Sequence, residues 1–190
     1  MSTYIVETYS SGSFVTGKTA DTGGVWSAVA TPVDPTGESS PGITSGNGNY
    51  TADHSVLVNA ATPGSANQTL TQEFTPTSSG WSAGLVLARS GDTGYWLQIN
   101  GGAANLNRVD SFAAFTFTLM AHASTSVADG DRASHTMEFT RASNVFSAKL
   151  DGVAVTFTVD TSLTDSTYSG AGTSGVFNRR LNSTSMSAVD

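Results

Sequence analysis

Cysteine is absent from the chain. That excludes disulfides, thiolate metal sites and any Cys–His nucleophilic pair, and it suits a protein that folds in a reducing cytosol. Cations are scarce: eight Lys and Arg stand against fifteen Asp and Glu in 190 residues, a formal net charge of −7. With no Lys/Arg cluster, the sequence argues against binding to a nucleic-acid backbone. Long apolar runs are missing too. None approaches the roughly 20 residues that a membrane-spanning helix needs. The opening MSTYIVETYS has neither the basic start nor the apolar stretch of a secretory signal. No membrane partner is therefore expected, and Met1 is read as the natural start of a complete chain. Nucleotide fingerprints are lacking as well: Gly46–Asn47–Gly48–Asn49 is a turn-rich loop with no helix after it. There is no G-x-S-x-G elbow and no convincing helical period.

What is present is alternation with a period of two, the mark of strands with one buried and one wet face. It is clearest from His135 to Val159. His135, Met137 and Phe139 share one face. After a turn at Arg141–Ala142–Ser143, Phe146, Ala148 and Leu150 share the next. After Asp151–Gly152, Val153, Val155, Phe157 and Val159 form a third set. Asp-Gly between two alternating runs signals a type I′ hairpin, because both central residues need positive φ. The stretch is thus expected to be a three-stranded antiparallel meander. Further strands are expected over Thr3–Thr8, Val25–Ala30, His54–Val58, Gln68–Thr75, Asn105–Val109, Phe112–Ala121, Ser174–Phe177 and Ser185–Val189. Trp81–Arg89 and Gly94–Asn100 read as a hairpin. On Phe112–Ala121, Phe115, Phe117 and Leu119 point one way, and Thr116, Thr118 and Met120 the other. Thr31–Asn49, rich in Pro, Gly and Ser, reads mostly as loop. Many short strands at 8–12-residue spacing predict an all-β fold: a two-sheet antiparallel jelly-roll sandwich, one domain over 1–190.

The strongest candidate site lies on Gly94–Asn100. Tyr95, Leu97 and Ile99 form the apolar set, which leaves Trp96, Gln98 and Asn100 on the opposite face. An indole beside two amides suits a sugar, whose C–H face lies on the ring while its hydroxyls meet the amides. Arg89 on the hairpin partner, and Asn178 or Arg179 near the last strand, are candidates for the same surface. The alternative is that Trp96 is covered, by the Thr31–Asn49 loop or by a neighbouring subunit, since indole serves interfaces equally well. Trp26 and Trp81 read as packing residues. His54 and His135 fall in register with apolar neighbours and read as partly buried histidines; His122 stands apart. Sequons at Asn49, Asn67 and Asn182 are expected to be unused without a secretory signal.

Several segments resemble a known family. Lys18–Trp26 (KTADTGGVW) is similar to an N-terminal segment of concanavalin A-like lectin/glucanase (laminin-G-like) jelly rolls. Ser82–Asn100 (SAGLVLARSGDTGYWLQIN) resembles their central hairpin, Leu150–Val153 (LDGV) their penultimate hairpin, and Gly175–Asp190 their closing strands. The resemblance implies a concanavalin A-like sandwich whose last strand returns beside the first. It does not settle function, because lectins, glycosidases, adhesion modules and viral coat components share the fold. Glucanases of the superfamily carry Glu-x-Asp-x-x-Glu, which sets carboxylates on one face for acid and nucleophile roles. None of Glu7, Glu38, Glu73 and Glu138 lies in such a pattern, so no enzyme is expected. Glu73 and Glu138 read as solvated charges on polar strand faces. Laminin-G-like domains often hold calcium on loop carboxylates, for which Asp92, Asp129 and Asp131 are candidates; turn chemistry is the favoured reading of Asp and Gly there, and no cofactor is expected. Small lectin-like proteins of this kind resemble virion components of tailed phages. The expected role is a non-enzymatic virion surface protein, made in the host cytoplasm. It would be a capsid decoration protein that also takes glycans, or alternatively a tail or fibre adhesin or a stand-alone carbohydrate-binding module. Its partners would be capsid or tail proteins, surface glycans and further copies of itself.

Overall fold

The computed structural model describes residues 2–7, 19–28, 43–44, 49–50, 55–77, 79–114, 116–179 and 181–190. Among them no helix occurs, and the strands run β1 (Thr3–Glu7), β2 (Trp26–Ala28), β3 (Ile43–Thr44), β4 (Asn49–Tyr50) and β5 (Ser55–Asn59). The long middle strands are β6 (Gln68–Pro76), β7 (Ser82–Ser90), β8 (Thr93–Asn100), β9 (Ala103–Ser111) and β10 (Thr116–Ser124). There follow β11 (His135–Ala142), β12 (Val145–Leu150), β13 (Val153–Ala154), β14 (Thr158–Val159), β15 (Thr173–Arg179) and β16 (Leu181–Val189). A six-stranded sheet in the order β1-β16-β6-β11-β12-β13 faces an eight-stranded sheet in the order β14-β10-β9-β8-β7-β15-β5-β2. Among the described residues β3 and β4 pair only with each other. Every pairing is antiparallel, and the two sheets form the sandwich that the alternation predicts.

The period of two decides what goes inside. On β6, every second residue is buried, so Leu70, Gln72 and Phe74 point inward. Met137 and Phe139 from β11 and Phe146 and Ala148 from β12 do the same. They meet Leu85, Leu87, Tyr95, Leu97, Ile99, Leu106 and Val176 of the large sheet, with Trp26 and Trp81 in the same core. Each such large side chain contributes about 1.5–3 kcal/mol on burial. Arg141 continues the inward set of β11 and is fully buried. It donates to the Gly170 carbonyl at 2.9 Å and to Asn144 Oδ1 at 2.5 Å, with its guanidinium 5.5 Å from the Tyr95 ring centroid. Those two bonds and the aromatic face offset part of the cost of burying the charge, while Nε has no partner among the described residues. β16 lies between β1 and β6, so the last long strand does return beside the first.

The structure corrects four local expectations. The turn after β11 is Ser143–Asn144, both at positive φ (50° and 65°), and Arg141 and Ala142 stay in the strand. The third strand of the meander stops after Val153–Ala154; the chain then crosses the sandwich edge, and Thr158–Val159 joins the other sheet against β10. Val155 and Phe157 pack against the core during the crossing, whereas Val153 and Val159 are 71% and 51% exposed. Four apolar residues in alternation thus serve an edge crossing and not one continuous strand. Phe112 belongs to a turn rather than a strand, its N–H donating to the Asp92 carbonyl at 2.8 Å. On β10 the register breaks between Leu119 and Ala121. That bulge turns Met120 and Ala121 inward and leaves Phe117 and Leu119 outside. The Asp151–Gly152 turn is as predicted, at φ 52° and 77°. His54, Phe115, Lys18, Glu38 and most of the Thr31–Asn49 segment lie outside the described residues.

Candidate functional site

The outer face of the large sheet has an apolar half and a polar half. Registers bring Val86 opposite Trp96, Gly84 opposite Gln98, and Ser82 opposite Asn100. On the apolar half, Trp96 clusters with Val56, Val58, Val86, Val109, Phe112 and Phe177. Its ring lies 4.7 Å from that of Phe177 and 6.1 Å, edge-on, from Phe117. A Cβ on Gly84 would fall 2.5 Å from the indole nitrogen, so only glycine lets the ring lie across β7. Trp96 does face away from the core, but it is 4% exposed. It is an anchor of a second apolar layer and offers no ring face to a sugar.

The polar half opens into a cavity of about 420 Å³, lined by Gly80, Trp81, Ser82, Gln98, Asn100, Gly101, Asp129 and Phe177. That volume falls in the range of small-ligand pockets, roughly 300–1,000 Å³. Gln98 Nε2 donates to Ser82 Oγ at 2.8 Å, which leaves the Gln98 carbonyl and the Ser82 proton for a ligand. The Asn100 amide has no hydrogen bond among the described residues, so it offers both a donor and an acceptor. Phe177 and the edge of Trp81 supply the apolar wall.

Asp129 reaches the cavity on the loop between β10 and β11, and that loop is held at several points. The Gly80 N–H donates to Asp129 Oδ1 at 2.7 Å, and Trp81 Nε1–H to the Ala128 carbonyl at 3.4 Å. The Gly102 N–H donates to the Val127 carbonyl at 2.7 Å, and the Asp131 N–H to the Ala128 carbonyl at 3.0 Å. Arg132 Nη1 reaches the Asp129 carbonyl at 3.4 Å. A Cβ on Gly101 would lie 2.6 Å from Asp129 Cβ, so the aspartate sits where only glycine leaves room. Oδ2 has no partner among the described residues. The described lining therefore holds one carboxylate, two amides and a hydroxyl. That set is able to hydrogen-bond hydroxyl groups, and it contains no second carboxylate to share acid and base work.

Of the residues singled out in the sequence, Gln98 and Asn100 come together at this cavity. Arg89 sits seven residues along β7 from Ser82, roughly 23 Å away at strand rise, with its guanidinium 6.0 Å from the Phe112 ring centroid. Burial lowers its pKa, with Asp92 acting in the opposite sense. The backbones of Asn178 and Arg179 pair with Ala83 and Ser82, at the cavity end of β7; their side chains lie outside the described residues. Nothing local in the sequence marks Ser82, Trp81 and Phe177 as lining residues, and the context of Asp129 points only to a turn or to calcium, because no local pattern ties a loop carboxylate to a strand 29 positions earlier.

The other turn carboxylates are engaged elsewhere. Asp92 accepts from the Ser111 hydroxyl and from the Ala113 N–H at 2.8 Å. The Ser111 hydroxyl above all, then the backbone donors and Arg89, hold it below the usual carboxylate range against the opposing pull of desolvation. Asp131 accepts from the Ala133 N–H at 2.7 Å. On the outer face of the small sheet, Glu138 pairs with Lys149 at 2.8 Å and Glu73 accepts from Ser134 at 3.1 Å. Among the described residues no group of three or more His, Asp or Glu is placed to hold a metal.

No family model matches this chain, and no curated protein does. Solved structures do resemble it. A carbohydrate-binding module of class CBM66 from Bacillus subtilis superposes with a TM-score of 0.56 at 15% identity, over 90% of this chain and 92% of the other. A Bacillus subtilis protein of unknown function with a galectin-like fold gives 0.58 at 11% identity, over 100% and 96%. Sheep galectin-11, solved with glycerol, gives 0.51 at 8%, over 72% and 98%. At these identities the likeness is one of fold: a galectin-like, concanavalin A-type jelly-roll sandwich.

Proposed function

We propose that this chain is a non-enzymatic, lectin-like module that binds carbohydrate in the cavity formed by Gln98, Asn100 and Asp129. One observation carries the reading. A pre-formed cavity at the end of the large sheet joins a carboxylate, an unengaged amide and an amide carbonyl to an aromatic wall. Hydroxyl donors meeting a carboxylate make charge-assisted hydrogen bonds, stronger than neutral ones. The galectin-like and carbohydrate-binding-module folds of its structural neighbours support the same reading at the level of architecture.

A glycan array probed with wild type, Asn100→Ala and Asp129→Asn tests it. Each variant should weaken binding about tenfold or more, equivalent to about 1.4 kcal/mol, with unchanged thermal unfolding. Asp129→Asn keeps an oxygen for the Gly80 N–H, so its fold should survive. A wild type that binds no sugar on a broad array sinks the proposal.

We further propose that the module works on the surface of a virus particle, as a capsid decoration protein or as a tail or fibre adhesin. The net charge of −7 suits an exterior protein present in many copies. On the outer face of β10, Phe117 and Leu119 are 47% and 36% exposed. An apolar row of this kind fits a neighbouring subunit or shell protein. Imaging the particle with which the chain co-purifies tests the setting.

A further inference from the structure

His135 opens β11, and its ring is held between two carboxylates. Nδ1 lies 2.8 Å from Asp151 Oδ2, and Nε2 lies 3.5 Å from Asp131 Oδ2. Asp151 is already fixed: its Oδ1 accepts from the Thr136 N–H at 2.8 Å, and its own N–H donates to the Thr136 carbonyl at 2.7 Å. Asp131 is fixed by the Ala133 N–H. The His135 side chain is 10% exposed, and Nε2 is buried with no hydrogen bond of adequate geometry. A neutral imidazole has one N–H and one lone pair. If Nδ1 carries the proton, the lone pair of Nε2 faces a carboxylate with nothing between them. A second proton turns that contact into an ion pair and satisfies the buried nitrogen.

Two physical links run from this ring to the candidate site. The first is the loop: Asp131 stands two residues after Asp129, and its N–H bonds the Ala128 carbonyl that Trp81 also holds. The second is ring packing: His135 lies 5.8 Å from Phe74, and Phe74 lies 5.6 Å from Trp81, which lines the cavity. The other charged groups nearby do not replace the proton. Arg132 spends its Nη1 on the Asp129 and Asp131 carbonyls, and Glu73 accepts from Ser134.

We infer that Asp131–His135–Asp151 is an acid-closed clasp: protonation of His135 pins the Ala128–Asp131 segment and so tightens sugar binding at the Asp129 cavity. The functional half rests on the carbohydrate reading above; the clasp itself does not. Histidine is the side chain whose charge ordinarily changes between pH 5 and 8. The Nε2–Asp131 ion pair exists only while the ring holds its second proton, so acid favours it and base removes it. Sugar affinity should be several-fold higher at pH 5.5 than at pH 8, and His135→Gln should flatten that profile. Asp131→Asn, which keeps an oxygen for the Ala133 N–H, should flatten it too.

The test combines calorimetric titration of the best array sugar across pH with NMR of the Trp81 indole N–H and the Gly80 and Gly102 amides. In wild type these three signals should titrate with the His135 ring, and in His135→Gln they should not. A flat affinity profile in a wild type that binds sugar overturns the inference and spares the carbohydrate reading. So does a profile unchanged in folded His135→Gln. If no sugar binds at all, the carbohydrate reading fails, and the three NMR signals alone decide the clasp: pH-independent signals overturn it.

Discussion

At the residue scale, Trp96 shows how far facing and function can part. Alternation puts it on the outer face with Gln98 and Asn100, yet only the two amides reach the cavity. Gly84 opens a seat for the indole across β7, and Phe177 and Phe117 close on it. Phe177 then separates the two halves, touching Trp96 on one side and lining the cavity on the other. Trp96→Ala should therefore act on stability. The expected loss is about 3–5 kcal/mol, the usual cost of emptying a buried aromatic site, read by urea unfolding. Where Trp96→Ala stays folded, residual sugar affinity near that of wild type fits this assignment. Full stability with binding abolished would return the indole to the site. Asn100, by contrast, is partly exposed and carries no structural hydrogen bond among the described residues, so its truncation should be nearly silent in unfolding.

At the element scale, the segment from β14 to β15 has almost no strand of its own and is tied down by side chains. Tyr95 Oη donates to Asp165 Oδ1 at 3.0 Å, and the Thr167 N–H donates to the same oxygen at 2.6 Å. Arg108 Nη1 reaches Asp165 Oδ2 at 3.4 Å while its Nε holds Asp110 at 2.9 Å. Arg141 secures the Gly170 carbonyl from inside. Burial pulls Asp165 and Asp110 upward, but Thr167 and Tyr95 for the first, Arg108 and Thr118 for the second, outweigh it. Both end below the usual carboxylate range, as does Asp92. The folded state thus binds fewer protons than the unfolded chain, whose aspartates titrate near 3.9. Stability from these groups is present above that value and lost as pH falls through the lower folded values. The melting temperature should drop as pH falls from about 4 to 2, and Asp165→Asn should lower it at pH 7 while flattening the acid drop. A melting temperature independent of pH over that range would contradict the network.

At the scale of the whole molecule, the two ends of the chain close the small sheet. β1 is an edge strand whose backbone, among the described residues, pairs with β16, and β16 pairs with β6. The ends are fastened: the Ser2 N–H donates to the Asp190 carbonyl at 3.1 Å, and the Gly64 N–H reaches Asp190 Oδ2 at 2.5 Å. Removing residues 181–190 should therefore release β1 and expose the β6 edge. Far-ultraviolet circular dichroism and size-exclusion chromatography should show lost strand signal and aggregation. A soluble, fully folded truncation would mean that β6 and β11 hold the sheet alone. Contacts this distant in sequence also make folding slow for the chain's size.

Local patterning alone is enough to specify a two-layer β sandwich. A period of two is a local property: each residue's face follows from its neighbours, and Leu70, Phe74, Met137, Phe139, Phe146 and Leu97 could be assigned inward without any long-range information. The Asp151–Gly152 turn was legible for the same reason, since positive φ at two successive positions is a local demand. The cavity was only half legible. Gln98 and Asn100 lie on one strand and could be read together, but Asp129 joins them through Gly80, Gly101 and Gly102, contacts that exist only once three separate loops are stacked. The burial of Trp96, the bulge at Met120, the crossing at Val155–Phe157 and the placing of His135 between Asp131 and Asp151 were likewise decided by tertiary structure. Alternation says which way a side chain points; what stands there to meet it depends on segments distant in the chain.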